Sequence, residues 1–171
     1  RTRQLTPPGG LQSSLAQSVI STAPAFCWKS NWDRLAGARP SKLMEDEARL
    51  LREGRYRLFY SQPQTLVFNT SSQSDTHWID VNEERFDDIK TEWEPARFNW
   101  SLPLAGAYRF SGDEDLVAFF WNKFSEFHQS NPVNLGPNWT SAQEVAIRAV
   151  MWMLAASALR SSPQMNSEPL D

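Results

Sequence analysis

The segment from Asn131 to Arg160 constrains this chain most. Its opening, Asn131-Pro132-Val133-Asn134-Leu135-Gly136-Pro137, is dense in residues that break regular structure. Its later part is apolar on nearly every helical face: Val145, Ala146, Ile147, Val150, Met151, Trp152, Met153, Leu154 and Ala155 leave no clear solvent stripe. A helix that is apolar all round belongs inside a larger body. Ser141 and Glu144 have the spacing of a capping box, in which each side chain satisfies the other's free amide. Asn138 and Thr140 are alternative caps. The helix's only charges, Glu144 and Arg148, lie four apart near its start and share a face. Polar groups at the mouth of a buried helix imply either a paired interior charge or the wall of a cleft.

The length permits one domain, burying roughly two-thirds of the unfolded surface. A formal charge of −3 provides no electrostatic footprint for nucleic acid or for an anionic membrane surface. No run long enough to span a bilayer is free of charge. Eight tryptophans provide rigid, flat, amphipathic surface, suited to a packed core and equally to stacking on sugar rings. One cysteine, Cys27, cannot form an intrachain disulfide and leaves the compartment open. Arg1-Thr2-Arg3 is not a signal peptide. A start without Met reads as a processed or trimmed N-terminus.

The chain divides into three regions. Residues 1–40 are a Pro/Gly-rich tail, a short helix carrying Leu11, Leu15, Val19 and Ile20, and a loop whose Phe26, Trp28 and Trp32 read as plugs over a helix layer. Residues 41–160 form the body. A charged amphipathic helix spans Lys42 to Arg52, with Gly54 as its stop. The β-prone runs Tyr56–Tyr60 and Thr65–Phe68 flank Gln62-Pro63-Gln64 as a small hairpin. Glu94-Pro95 starts a second helix, with Pro95 in the first helical position. Its buried stripe is Phe98, Leu102, Ala105 and Tyr108, and Pro103 is expected to kink or break it. Leu116, Phe119, Phe120, Phe124 and Phe127 mark a third helix. Residues 161–171 read as a frayed polar tail.

Four blocks carry a resemblance. Pro137-Asn138-Trp139-Thr140-Ser141-Ala142-Gln143-Glu144-Val145-Ala146-Ile147-Arg148 is similar to a helix signature of the N-terminal domain of heparinase II/III family proteins. Asp88-Ile89-Lys90 with Trp93-Glu94-Pro95-Ala96-Arg97-Phe98 resembles that domain's other signature. Ala107 to Glu114 and the Asn131-Pro132 loop continue the match, which runs from about Lys42 to Leu159. The resemblance implies a mostly α fold: a partial (α/α) toroid of helical hairpins, inner helices lining a cleft, with the small β-hairpin as an excursion. It also implies a polysaccharide lyase that cleaves uronic-acid-containing glycans such as glycosaminoglycans or alginate by β-elimination, in a bacterial, periplasmic or secreted setting. The implied partner is an acidic polysaccharide, with no cofactor and no metal. A full toroid uses more helices than this chain supplies, so the chain reads as a fragment or a truncated relative. Its apolar helix is then covered by a C-terminal remainder or a second copy. The family's catalytic Asn, His and Tyr have no matching block here, so no catalytic residue is assigned and the chain alone is expected to be inactive. The alternative is a catalytically inactive helical module that binds glycan or protein.

The substrate-binding candidates are Glu94, Arg97, Asn138, Trp139, Glu144 and Arg148. Arginine's planar fork matches a sugar carboxylate or sulfate. Glu144 and Arg148 can equally form an ordinary i,i+4 pair, and Glu94 and Arg97 a local salt bridge. Asn138 and Trp139 can offer an amide and a stacking face, or can cap and underpin the helix. His77, in a loop beside Trp78, is a weak candidate for a base. His128, on the aromatic helix, reads as structural. The two histidines lack metal-ligand spacing, and the acidic run Glu83 to Asp88 lacks calcium-loop spacing.

Overall fold

The computed structural model describes residues 41–68 and 70–165. The expected helix at Leu11–Ile20 and the aromatic loop with Cys27 lie outside the described residues.

The fold is mostly helical with a small antiparallel hairpin. Helix α1 spans Lys42–Arg52, capped by Ser41, whose Oγ accepts from the Met44 amide. Gly54, at φ +70, ends it: the Gly54 N–H donates to the Leu51 carbonyl, and no side chain is needed at this left-handed position. The hairpin is β1 (Arg55–Arg57) and β2 (Pro63–Thr65), with Arg55 opposite Thr65 and Arg57 opposite Pro63. It is thus shorter than expected. Leu58–Tyr60 curls into a 3₁₀ turn, and Leu66 and Phe68 leave the ladder to enter the core. Helices α2 (Lys90–Ala96), α3 (Ser101–Ser111), α4 (Glu114–Ser130) and α5 (Ala142–Leu159) complete the order.

Two expectations about the prolines are corrected. Pro95 does not open a helix; it sits in the last turn of α2, and the chain breaks immediately after, at Phe98 with φ +61. Pro103 neither kinks nor breaks α3. It lies in the first turn, where an amide has no intrahelical acceptor to lose. The break at Phe98 is held by packing. The ring is fully buried, with centroids 5.5 Å from Phe68, 4.8 Å from Trp100, 5.6 Å from Phe127 and 5.5 Å from Trp152. Aromatic pairs of this kind contribute about 0.5–1.5 kcal/mol each beyond area burial. Together they offset the roughly 1–3 kcal/mol of a left-handed non-glycine backbone.

Helix α3 is the hub, touching α1, α4 and α5. Gly106 lets α1 approach: a Cβ there would lie 2.6 Å from the Met44 sulfur. Residues 161–165 are not frayed. Ser162 and Met165 are buried, the Ser162 hydroxyl donates to the Glu114 carboxylate at 2.5 Å, and the Gln164 side-chain amide donates to the Glu114 carbonyl at 3.0 Å.

Helix α5 is long and apolar enough to cross a membrane by length and composition. Its Glu144 and Arg148, however, face α2. The opposite side lacks cover, with Val150 45% exposed and Ala146 exposed.

Candidate functional site

Two resemblance blocks far apart in sequence meet at one place. The 3₁₀ turn Pro137–Trp139 lies against α2 and the start of α5. Gly136 makes that turn possible. Its φ of +82 and ψ of 176 fall in a region open essentially to glycine. A Cβ would also come within 3.1 Å of the Ser74 carbonyl oxygen. The Gly136 amide donates to the Thr76 carbonyl and the Trp78 amide to the Asn134 carbonyl, fastening the His77 loop to this turn.

Ser141 caps α5, its Oγ accepting from the Glu144 amide at 3.4 Å. Only half of the expected capping box forms, because the Glu144 carboxylate turns to α2. Arg97 donates to it twice, Nε to Oε2 at 2.6 Å and Nη2 to Oε1 at 2.7 Å, and its Nη1 donates to Glu94. This bidentate geometry is the strong form of an ion pair. Glu144 is 4% exposed. The two carboxylates raise the Arg97 pKa above its ordinary value, mainly through the Glu144 hydrogen bonds.

Arg148 does not pair with Glu144 as the i,i+4 reading allowed. It is 1% exposed. Its Nε donates to the Ala96 carbonyl at 2.8 Å and its Nη2 to the Asn138 carbonyl at 2.9 Å. The guanidinium lies 4.6 Å from the Phe127 ring centroid and 5.3 Å from that of Trp139. Burial pushes it down to about 10, partly countered by the Glu144 charge. Helix-end carbonyls thus take the place of a carboxylate.

Asn138 is fully buried and its Nδ2 donates to Asn131 Oδ1 at 2.8 Å. Asn131 in turn donates to the Phe127 carbonyl at 3.0 Å. Trp93 seals the junction, its indole N–H donating to the Pro137 carbonyl at 2.9 Å. Asn131 was missed as a member of the cluster, although the Asn131-Pro132 loop signalled its neighbourhood. Arg148 Nη1, Asn138 Oδ1 and Trp139 Nε1 are buried with no hydrogen-bond partner among the described residues.

The structure therefore gathers all six candidates, but not as an open row of ligand contacts. Arg148, Asn138 and Glu144 lie in the interior, where they brace α2 against α5. Their side chains bond to α2, to the 137–139 turn and to Asn131, and each is under 5% exposed. Arg97, Glu94 and Trp139 form the partly exposed rim. The four charges sum to zero, so the cluster has no net pull on a polyanion. His77 is exposed in the neighbouring loop, its Nδ1 accepting from the Ile79 amide at 3.4 Å. His128 packs on Trp152 with ring centroids 5.3 Å apart. Burial lowers its pKa, and Arg148 lowers it further. Among the described residues no cluster of His, Cys, Asp and Glu has metal-binding geometry.

No protein-family model, no curated protein and no solved structure matches the chain.

Proposed function

We propose that this chain is the N-terminal helical portion of a polysaccharide lyase acting on uronic-acid-containing glycans, built as part of an (α/α) toroid and contributing to the substrate cleft without supplying the catalytic set. The observation that supports this reading is convergence. The two sequence blocks with the strongest resemblance, 93–98 and 137–148, are joined by Arg97–Glu144, Trp93–Pro137 and Arg148–Ala96. Blocks that serve one purpose are expected to meet, and these do. The buried brace fixes the angle between α2 and α5, and the rim residues Glu94, Arg97 and Trp139 are the groups left to touch sugar.

The test is titration of the full chain with alginate, heparin and neutral dextran by calorimetry, alongside ultraviolet assay for unsaturated uronate. Saturable binding to the uronate polymers, weakened by Trp139→Ala and with no product formed, supports the reading. Equal indifference to all three polymers overturns it.

One observation favours a second reading, an inactive protein-binding module. Residues 75–88 expose Asp75, Asp80, Glu83, Glu84, Asp87 and Asp88 against a single Arg85. That surface repels a polyanionic glycan and attracts a basic partner.

A further inference from the structure

The described carboxylates are not distributed evenly between paired and free. Asp46, Glu47, Glu53, Glu94, Asp113, Glu126 and Glu144 each hold an ion pair, and all lie outside residues 75–88. Within 75–88 the net charge is −5, six carboxylates against Arg85, and none forms an ion pair among the described residues. The same surface is apolar at its tip: Trp78 is 38% exposed, Ile79 67%, and Val133, on the adjoining loop, 64%. It is also built to stay in place. The Gln73 side chain exchanges two hydrogen bonds with the Asn82 backbone, at 3.0 and 2.9 Å, and the backbone bridge from Trp78 to Asn134 ties the two loops together. A fixed, acidic, aromatic-tipped surface is a preorganised docking face.

The sequence contains a segment of complementary chemistry. Residues 1–40 carry Arg1, Arg3, Lys29, Arg34 and Arg39 against Asp33 alone, a net charge of +4. The whole chain is −3, so residues 41–171 carry −7. Phe26, Trp28 and Trp32 alternate with Lys29 and Arg34, so the segment offers both cations and rings to a surface that offers carboxylates and an indole. Tethering makes the encounter intramolecular, which raises the effective concentration to the millimolar range. We infer that the face formed by Trp78, Ile79, Val133 and the carboxylates of residues 75–88 docks the chain's own basic N-terminal segment, residues 1–40. This stands apart from the lyase reading and holds or fails without it. Docked, the segment shields the −5 surface and competes with any basic partner for it.

Cys27 is the only cysteine, so a spin label placed there reports on residues 1–40 of the full chain without other changes. The expected result is broadening of the amide signals of residues 75–84 and of Val133. High salt is expected to reduce the docked fraction roughly tenfold, since screening removes the steering charge. The triple variant Asp80→Lys, Glu83→Lys, Glu84→Lys is expected to abolish the broadening, whereas Glu45→Lys, a surface charge on α1, leaves it intact. Absence of broadening at residues 75–84 overturns the inference, as does broadening that high salt leaves unchanged. A mixture of spin-labelled unenriched chain with isotopically enriched unlabelled chain isolates contact between copies. Broadening that persists fully in that mixture assigns the face to a second copy and overturns the intramolecular docking.

Discussion

Arg148 keeps a full charge in the interior while donating to two backbone carbonyls and lying over two rings. A lysine has the charge but not the fork, and a single ammonium cannot reproduce the same pair of contacts to Ala96 and Asn138. Arg148→Lys is therefore expected to cost about 1–3 kcal/mol through an unsatisfied buried acceptor, measured as a shift of the urea midpoint. Arg97 tests the other half of the brace. Arg97→Ala strands Glu144, a 4% exposed carboxylate, and is expected to cost about 3–5 kcal/mol. Replacing both, as Arg97→Met with Glu144→Leu, is expected to recover only part of that, because the buried Glu144 carboxylate goes with its partner while Glu94 still loses Arg97. If Arg97→Ala costs no more than a surface substitution, the pair is not a brace. His128 adds a pH dependence. Burial and Arg148 hold its folded pKa below the ordinary value, so above that value the folded and unfolded states bind the same number of protons. As pH falls below about 6.5, the unfolded state takes up a proton first, and stability declines toward the folded pKa. The chain has only two histidines, so the His128 NMR signal is readily assigned. His128 is expected to titrate below the ordinary range, and His128→Phe to flatten the fall in stability over that window.

Local punctuation placed the helices but did not explain how they join. The stop of α1 and the start of α5 were legible, because Gly54 and Ser141 act through their own backbone neighbourhood. The break between α2 and α3 was not. Two prolines drew the boundary toward themselves, while the actual break lies at Phe98, a residue with no local reason to turn left-handed. Its reason is the ring stack with Phe68, Trp100, Phe127 and Trp152, which no window of neighbouring residues contains. The partners of the site residues were hidden in the same way. Spacing correctly put Glu144 and Arg148 on one face, but a face does not name its partners, and those partners, Arg97 and the Ala96 carbonyl, lie about fifty residues upstream. Two glycines separate local from tertiary cause experimentally. Gly54 has open space around it, so Gly54→Ala is expected to cost about 1 kcal/mol, the left-handed backbone penalty alone. Gly136→Ala adds the clash with Ser74 to a glycine-only conformation. It is expected to cost about 2–4 kcal/mol and to loosen the Trp78 bridge, seen as faster exchange of that amide. Equal costs at the two positions would show that the close approach to Ser74 carries no weight.

At the scale of the whole molecule, α5 presents two faces of opposite character. One holds Glu144, Arg148, Ala155, Ala156, Ala158 and Leu159 against the body. The other exposes Ala142, Ala146, Ala149 and Val150, with Gln143 as an exposed polar residue in its first turn, and carries no charge. A water-facing helix side normally mixes charged and polar groups, so a neutral apolar one is a surface awaiting cover. That it is apolar and wants cover was expected from the sequence; which side of it stays bare was not, because the sequence does not say where the neighbouring helices stop. In the lyase reading the cover is the rest of the toroid, and in the module reading it is a second molecule. Both give the same expectation for the chain by itself: association driven through this side and not through the ionic brace. Val150 is the probe. At 45% exposed it loses little burial on substitution, and it lies clear of the Arg97–Glu144 contacts. Val150→Lys is expected to leave the urea midpoint within about 0.5 kcal/mol of the parent, as for a surface change. The same variant is expected to weaken self-association about tenfold or more in sedimentation equilibrium, since a partner must then bury an unpaired ammonium. A Val150→Lys chain that unfolds early would mean that α5 already has its cover within these residues. A chain that stays folded but associates as strongly as before would place the sticky surface elsewhere, on the Trp78 loop or the hairpin.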